Sequence, residues 1–279
     1  GVTLAMVFGL LETFKLTESG LGTPLKEHIV RSVRRGCEFA LHSYEDYAFI
    51  TNHQALFAAA FLGAAEILRE DRWEGEANKV MDRILAAQSP EGWYREYNGP
   101  DPGYESLGIF YLALCWRRTG SERLLESLRR SIAFYAHFIH PDGSAGGIYG
   151  SRHTYLYYPA GFEMLAASIP MAGSIAQFMR QRLVHGNVLT PDASDMENIA
   201  PLLYAYLEAC LGESTPVGDG PSLPHESLKG VRRFPQSGLI VSGSPSYYAV
   251  VNTVKGGVCR IFSKELASIS YEDAGYCAR

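Results

Sequence analysis

Four places in the sequence put polar or titratable residues where a turn-rich segment meets an Ala- and Leu-rich segment of helical period. The turns are rich in Gly, Pro, Tyr, Asp or Asn. The polar residues that open the four apolar segments are Asn52-His53, Tyr104-Glu105, Glu163 and Glu197-Asn198. Amide, imidazole, phenol and carboxyl groups can bind a charged ligand or transfer a proton. Their repetition therefore predicts one shared pocket at the ends of successive helices.

The first of these junctions is the pair Asn52 and His53. An Asn side-chain amide donates hydrogen bonds to a carboxylate, and an adjacent His adds a donor or accepts a proton near neutral pH. The pair also suits an ordinary helix start, with Asn52 or Thr51 as the N-cap and His53 packed in the first turn. Both interpretations stay open, and we predict Asn52 and His53 as catalytic residues.

The second junction lies in the segment 93–106, WYREYNGPDPGYES, which is dense in aromatic and titratable residues. A tyrosine beside Arg or His can have a lowered pKa and act as an acid or base, so Tyr104 is predicted to be catalytic. Aromatic faces stack on sugar rings while their polar tips bond hydroxyl groups. The residues of this segment predicted to bind substrate are Trp93, Tyr94, Tyr97 and Glu105. Taken singly, Trp93 also fits a hydrophobic plug, and Glu105 also fits a carboxylate that favours a helix N-terminus.

The third junction follows the segment 142–163, DGSAGGIYGSRHTYLYYPAGFE. Arg152 can grip a carboxylate in the bidentate mode that Lys cannot provide, and His153 is a second titratable candidate. We predict both as catalytic residues, with Tyr149 and Tyr157 as substrate-binding residues. The alternative for either cation alone is an ordinary solvated side chain. The fourth junction, with Asp192, Asp195, Glu197 and Asn198, is weaker because Asp and Ser after Pro also make a common helix start.

The positions of these junctions follow from a predicted array of helices. Apolar residues at helical spacing predict nine helices, at about residues 2–16, 24–42, 52–70, 73–88, 104–118, 121–139, 161–169, 171–185 and 195–211. The connections alternate between short ones and long ones rich in Gly, Pro, Tyr and Asp. Such alternation is typical of stacked helical hairpins, whose long loops gather on one face and carry function.

The composition changes near residue 212. Residues 212–234 are predicted to be a linker, and residues 235–279 a partial antiparallel β domain, because that segment alternates between turn signals and is rich in Val, Ile and Tyr. Three or so strands are too few for a stable sheet alone, so they pack on the helices or begin a larger β domain. The helical domain is predicted to span residues 1–211.

Composition excludes several classes of function. The 279 residues are 47% apolar and 20% charged, which is typical of a globular protein, and the net charge of −5 argues against a general nucleic-acid binder. No stretch approaches the ~20 apolar residues that span a bilayer. The five cysteines are widely spaced, without a CxxC pair, and nucleotide, HExxH and GxSxG motifs are absent. We therefore expect no cofactor, no metal and no membrane partner.

Without an initiating Met, the chain is expected to be a mature form or a fragment.

The helical hairpins, the Asn52-His53 pair, the GPDPGYES turn and the β tail together resemble the heparinase II/III-type polysaccharide lyases, which include alginate lyases. The resemblance implies an incomplete (α/α) toroid followed by an antiparallel β-sandwich, and β-elimination of uronic-acid polysaccharides. Matched by position, Asn52 and His53 correspond to the pair that neutralises the uronate carboxylate, and Tyr104 to the tyrosine that shuttles the proton. In such lyases a further His and Tyr come from the β-sandwich, of which this sequence contains about 45 residues.

The sequence therefore predicts a mainly α fold, an incomplete (α/α) toroid followed by a short antiparallel β segment, with lyase activity on an acidic polysaccharide or oligosaccharide. One alternative is an (α/α)-barrel glycoside hydrolase, which needs two opposed carboxylates. The carboxylates available to it are Asp101, Glu105, Asp142 and Glu163. The other alternative is a non-catalytic glycan-binding module. A secreted or periplasmic location is expected, with a cytoplasmic one as the alternative.

Overall fold

The computed structural model describes residues 2–42, 48–184, 186–196, 198–212 and 220–275. Within these ranges the helical part contains α1 Val2–Thr17, α2 Thr23–Leu41, α3 Thr51–Leu68, α4 Asp71–Ala87, α5 Pro102–Thr119, α6 Glu122–Tyr135, α7 Ala160–Leu165, α8 Pro170–Arg182, α9 Ile199–Leu211 and the short α10 Pro224–Ser227. Three 3₁₀ turns are Glu18–Gly20, Ala136–Phe138 and Pro191–Ala193. All nine predicted helices are present, and the one predicted at 161–169 is the six-residue α7.

The helices form two layers of consecutive hairpins. Helices α1, α3, α5, α7 and α9 contact one another in that order, and α1, α3, α5 and α7 also pack against α2, α4, α6 and α8 respectively. Helices α3 and α5 are buried on nearly all sides, which suits their almost continuous apolar sequence. Helices α4 and α6 bury one face and expose charged residues on the other. This double layer is the architecture of an incomplete (α/α) toroid.

Local sequence explains where the central helices begin and end. Asp101 is the N-cap of α5, where its side chain accepts from the backbone N–H of Tyr104 at 3.2 Å, and Pro102 occupies the first turn. Gly120 ends α5 with a positive φ of 62°, a conformation that glycine adopts without steric cost. Ser121 then caps α6 through the N–H of Leu124 at 3.3 Å. The short α5–α6 connection thus makes an antiparallel hairpin.

The C-terminal part is a five-stranded antiparallel sheet in the order of the chain. Its strands are β1 Gly230–Phe234, β2 Leu239–Gly243, β3 Tyr247–Asn252, β4 Val258–Ser263 and β5 Ser268–Asp273. The β segment therefore begins at Gly230, inside the stretch predicted as a linker, and has more strands than expected. Strand β1 is mostly exposed at the sheet edge, so it lacks the apolar alternation that marks a strand in sequence.

The sheet packs on the helical part through aromatic side chains. Phe134 in the last turn of α6 and Phe138 in the 3₁₀ turn after it contact Phe234 of β1, with ring centres 5.0 and 6.1 Å apart. The hydroxyl of Tyr248 on β3 donates to the carbonyl oxygen of His137 at 2.8 Å. The expectation that the strands cover their apolar face with the helical part is met. In the part of the chain that the structure describes, no helix combines the length and apolar character that crossing a membrane requires.

Candidate functional site

The start of α3 is held by a segment that lies far away in sequence. Ile50 is the N-cap position and has no side-chain cap. Instead Thr51 donates to the carbonyl oxygen of Arg95 from its N–H and its hydroxyl, at 3.1 and 2.7 Å. Asn52 donates from its N–H and its Nδ2 to the two carboxyl oxygens of Glu96, at 2.8 and 2.7 Å. Glu96 therefore fixes which way the Asn52 amide faces.

Asn52 is buried, so most of its side chain packs against other protein atoms. Its Nδ2 donates to Glu96, which holds the amide in place. His53 is half-buried and lines a cavity of about 740 Å³ between α1, α3, α5 and α9. The first junction thus divides its two residues: Asn52 faces the segment 95–96, and His53 faces the cavity.

Asp101 joins the start of α5 to the loop that follows α6. Besides capping Tyr104, its carboxylate accepts from the backbone N–H of Arg152 at 2.6 Å and from the hydroxyl of Thr154. Asp101 is fully buried. A buried carboxylate is stable where several donors satisfy its oxygens. Asp101 is therefore a shared anchor, because its carboxylate holds the backbone of both Tyr104 and Arg152.

Tyr97, Tyr104 and Arg152 come together above this anchor. The guanidinium carbon of Arg152 lies 4.4 Å from the ring centre of Tyr97, a cation–π contact. The N–H of Tyr97 donates to the carbonyl oxygen of Phe49, two residues before α3, at 3.1 Å. Tyr104 is half-buried. Burial and then Asp101 raise the pKa of Tyr104, against a smaller lowering by Arg152. Tyr104 therefore keeps its proton at neutral pH and suits a proton donor.

His153 is exposed beside Arg152 and has an unusual backbone conformation. Its φ of 61° lies in the left-handed region, which non-glycine residues adopt at a cost and often at functional sites. Its N–H donates to the carbonyl oxygen of Gly150 at 3.3 Å. Partial burial lowers the pKa of His153, and the nearby cations Lys255 and Arg152 lower it further, while Asp101 opposes them. The imidazole is therefore neutral at neutral pH and can accept a proton.

We call Tyr97, Tyr104, Arg152 and His153 the surface group. The fourth junction lies close to it, because Asp195 acts electrostatically on Tyr104. Asn198 donates to Asp195 at 2.8 Å and accepts from the hydroxyl of Tyr158 at 3.3 Å. Glu197 lies outside the described residues.

Four predicted substrate-binding residues form a second set, which we call the buried group: Tyr94, Glu105, Tyr149 and Tyr157, all no more than 2% exposed. The Tyr94 hydroxyl pairs with Ser127 at 2.6 Å, and the Tyr149 hydroxyl pairs with Nε2 of His140 at 2.7 Å. Glu105 accepts from the Ser131 hydroxyl at 2.8 Å. Their assignment to substrate binding is revised, because side chains enclosed by protein present no surface to a glycan. They belong to the core.

Burial also decides the chemistry of Glu105. It raises the pKa of this carboxyl group to about 8, so the group is protonated below that pH. Trp93 is half-buried, and its indole donates to Glu91 at 2.9 Å while its ring packs against the apolar cluster beneath the sheet. This position fits the plug interpretation of Trp93 better than sugar stacking.

The carboxylates that a glycoside hydrolase would need are committed to protein partners. Asp101 and Glu105 are buried with the contacts given above. Asp142 is buried and accepts from Ser144 and from Asn187, at 2.7 and 3.1 Å. Glu163 is paired with Arg180 at 2.6 Å. Two carboxyl groups facing each other across a glycosidic bond are therefore not found among these four. Among the described residues, no group of three or more His, Cys, Asp or Glu side chains is arranged to hold a metal ion.

Sequence reasoning did not assign the organising role to three residues of this site. Glu96 and Asp101 lie in the aromatic-rich segment 93–106, which marked the region without distinguishing an anchor from a ligand contact. Lys255, in the turn between β3 and β4, donates from Nζ to the carbonyl oxygen of Gly150. Its sequence context, KGG, signals a turn only, so no local pattern could have linked it to the helical part.

The comparisons with known proteins agree with this architecture. No family model and no curated protein sequence matches the chain. Among solved structures, a heparinase III gene product with methylated lysines is similar over 99% of this chain, with a TM-score of 0.61 and 14% sequence identity. The match covers 41% of that heparinase III chain, so the present chain spans less than half of it. At this identity the similarity shows a common fold, a helical toroid followed by a β segment.

Proposed function

We propose that this chain carries a helical part and a β part of a polysaccharide lyase that cleaves a uronate-containing glycan by β-elimination. The observation that carries the proposal is the surface group, in which a protonated tyrosine, a neutral histidine and an arginine lie around one anchoring carboxylate. The fold shared with heparinase III supports the same reaction class.

In the proposed reaction the uronate carboxylate binds to Arg152. Neutralising this carboxylate makes the proton on C5 removable, because negative charge builds on its oxygens as that proton leaves. Neutral His153 takes the C5 proton, and the electron pair of the broken C–H bond forms the C4–C5 double bond. Tyr104 donates its proton to the departing O4 as the C4–O4 bond breaks. The products are an unsaturated uronate and a new sugar hydroxyl. His153 then releases its extra proton to solvent, and Tyr104 regains a proton from solvent.

The test is incubation of the chain with alginate, heparan sulfate and other uronate polysaccharides, with ultraviolet absorbance of the unsaturated product as the readout. We expect absorbance to rise with at least one of them, and Tyr104→Phe to remove most of that rate. Tyr247→Phe is a matched control, because Tyr247 is an exposed tyrosine on β3 that bonds only locally, with Ser242 at 3.2 Å. If the chain bound a glycan without any change in absorbance, the lyase proposal would be rejected in favour of a non-catalytic glycan-binding module.

A further inference from the structure

The turn between β3 and β4, residues 253–257, brings the sheet to the loop that carries the surface group. Asn252 pairs with Val258 where the two strands leave the ladder, and Gly256 and Gly257 have positive φ angles of 73° and 79°. This tight turn presents Lys255 at its tip. Asn252 donates from Nδ2 to the carbonyl oxygen of Tyr149 at 2.8 Å, and Lys255 donates from Nζ to that of Gly150. The sheet is therefore fastened to two consecutive residues of the loop.

This attachment brings a positively charged side chain of the sheet close to one of the loop in the helical part. The carbonyl oxygen of Gly150 accepts from Lys255 and also from the N–H of His153 at 3.3 Å. Lys255 and Arg152 both act electrostatically on the His153 ring, which places both cations near it. The carboxylate that faces them, Asp101, is buried beneath the loop and already accepts from several donors. Lys255 and Arg152 therefore place two positive charges beside His153, and the exposed carboxylate of Asp195 lies on the side of Tyr104.

Both cations have hydrogen-bonding capacity beyond their contacts with the protein. An ammonium group has three N–H donors, and Gly150 uses one of those on Lys255. The guanidinium carbon of Arg152 lies over the Tyr97 ring, and the group carries five N–H donors in a planar fork that suits a carboxylate or sulfate. Lys255 is partly buried, so a contact to an anion there is less screened by solvent than one at an open surface.

We propose that Lys255 forms a second anion-binding position beside Arg152, which takes a carboxylate or sulfate group of the glycan other than the carboxylate at the reacting carbon. The inference rests on the proposed function for the neighbouring catalytic position. Arg152 belongs to the loop between α6 and α7, whereas Lys255 reaches that loop from the sheet, so the two positions approach the surface group from different parts of the molecule. The preferred substrates then carry anionic groups on consecutive sugars.

The experiment measures binding, with Tyr104→Phe as the background so that the glycan is not consumed. Affinities are determined for oligosaccharides of alginate, with a carboxylate on every sugar, of heparan sulfate, with sulfates as well, and of hyaluronan, with a carboxylate on every second sugar. In this background Lys255→Gln is expected to weaken alginate and heparan sulfate binding by about tenfold and hyaluronan binding much less. A larger loss of affinity for alginate would indicate that the position binds a carboxylate, and a larger loss for heparan sulfate would indicate that it binds a sulfate. Lys255→Arg should keep the affinity.

Lys264→Gln is the matched control, because it removes the same charge from the same sheet near Glu226 instead of near His153. The inference would be overturned if both lysine variants lost affinity equally, or if Lys255→Gln weakened the binding of all three glycans equally. It would also be overturned if none of the glycans bound. If Lys255→Gln leaves cleavage unchanged at limiting concentrations of alginate and heparan sulfate, the inference about Lys255 would be overturned and the proposed function would stand. If binding depends on Lys255 but the unmodified chain cleaves none of the glycans, the inference would be supported and the proposed lyase activity would be rejected.

Discussion

The surface group and the buried group come from the same two segments of sequence, and both combine tyrosines with titratable residues. Tyr94 and Tyr104 lie on one segment, and Tyr149 and Arg152 on the other. The surface group lies above Asp101, with a cation against an aromatic ring and an exposed histidine. The buried group lies within the core. Most of its polar atoms bond protein partners, whereas the Tyr157 hydroxyl and one Glu105 carboxyl oxygen have no hydrogen-bond partner among the described residues. The difference teaches that residue type predicts the capacity for chemistry, whereas access to a ligand depends on packing.

Asp101 separates the two groups, and its removal should have the largest effect. Asp101→Ala leaves the N–H groups of Tyr104 and Arg152 and the hydroxyl of Thr154 without their acceptor in a buried place. We expect the free energy of unfolding to fall by about 3 kcal/mol and lyase activity to disappear. Chemical denaturation and the absorbance assay measure the two. Asp71→Ala, at an exposed first-turn position of α4, should cost less than about 0.5 kcal/mol. Similar losses from both variants would contradict the anchoring role.

A pair of tyrosine variants tests the comparison itself. Tyr104→Phe removes a proton donor and should lower kcat by about 10²- to 10⁴-fold while stability changes little. Tyr94→Phe removes a buried hydroxyl paired with Ser127, so it should lower stability by about 1 kcal/mol and leave kcat nearly unchanged. Kinetics and thermal unfolding on both variants provide the readout. Loss of kcat in Tyr94→Phe without loss of stability would place Tyr94 in the site after all.

The pH dependence of stability distinguishes a buried carboxyl from a surface one. The pKa of Glu105 is about 8 in the folded chain, well above its ordinary value of 4.5. Because the folded state holds this proton more tightly, the contribution of Glu105 to stability is fully present below about pH 4.5 and is lost as pH rises to about 8. The slope should approach about 1.4 kcal/mol per pH unit. Denaturation at several pH values should show a shallower slope in Glu105→Gln, and an unchanged slope would contradict this burial.

The smallest expected effect concerns His153 and its two cationic neighbours. Lys255 and Arg152 both lower the pKa of His153, so Lys255→Gln should raise it slightly. Nuclear magnetic resonance titration of the imidazole measures this without any substrate. In a lyase that uses neutral His153 as the base, the acidic limb of the pH–rate profile should move to higher pH by the same amount. A His153 titration identical in both proteins would place Lys255 too far away to act on it.

Much of this architecture follows from local sequence signals. Helical periodicity predicted nine helices that are all present, and the Asp101-Pro102 and Gly120-Ser121 signals explain the ends of α5 and the start of α6. The junction residues Tyr104 and Arg152 were identified because their types suit proton transfer and carboxylate binding. Their catalytic roles stay predictions. The extra strands and the burial of Tyr149 and Tyr157 were missed, because an edge strand and a packed loop lack a repeating pattern.

The sequence by itself determined the helical hairpins, the antiparallel tail and the chemical types gathered at the loop-to-helix junctions. These depend on helical period, strand alternation and capping, which act over a few residues. Only the tertiary structure decided which junction residues face solvent, that Glu96 orients Asn52, that Asp101 anchors Arg152, and that Lys255 reaches the loop from the sheet. Each of these contacts joins residues more than 40 positions apart. Their formation depends on how whole elements pack, which no local pattern encodes.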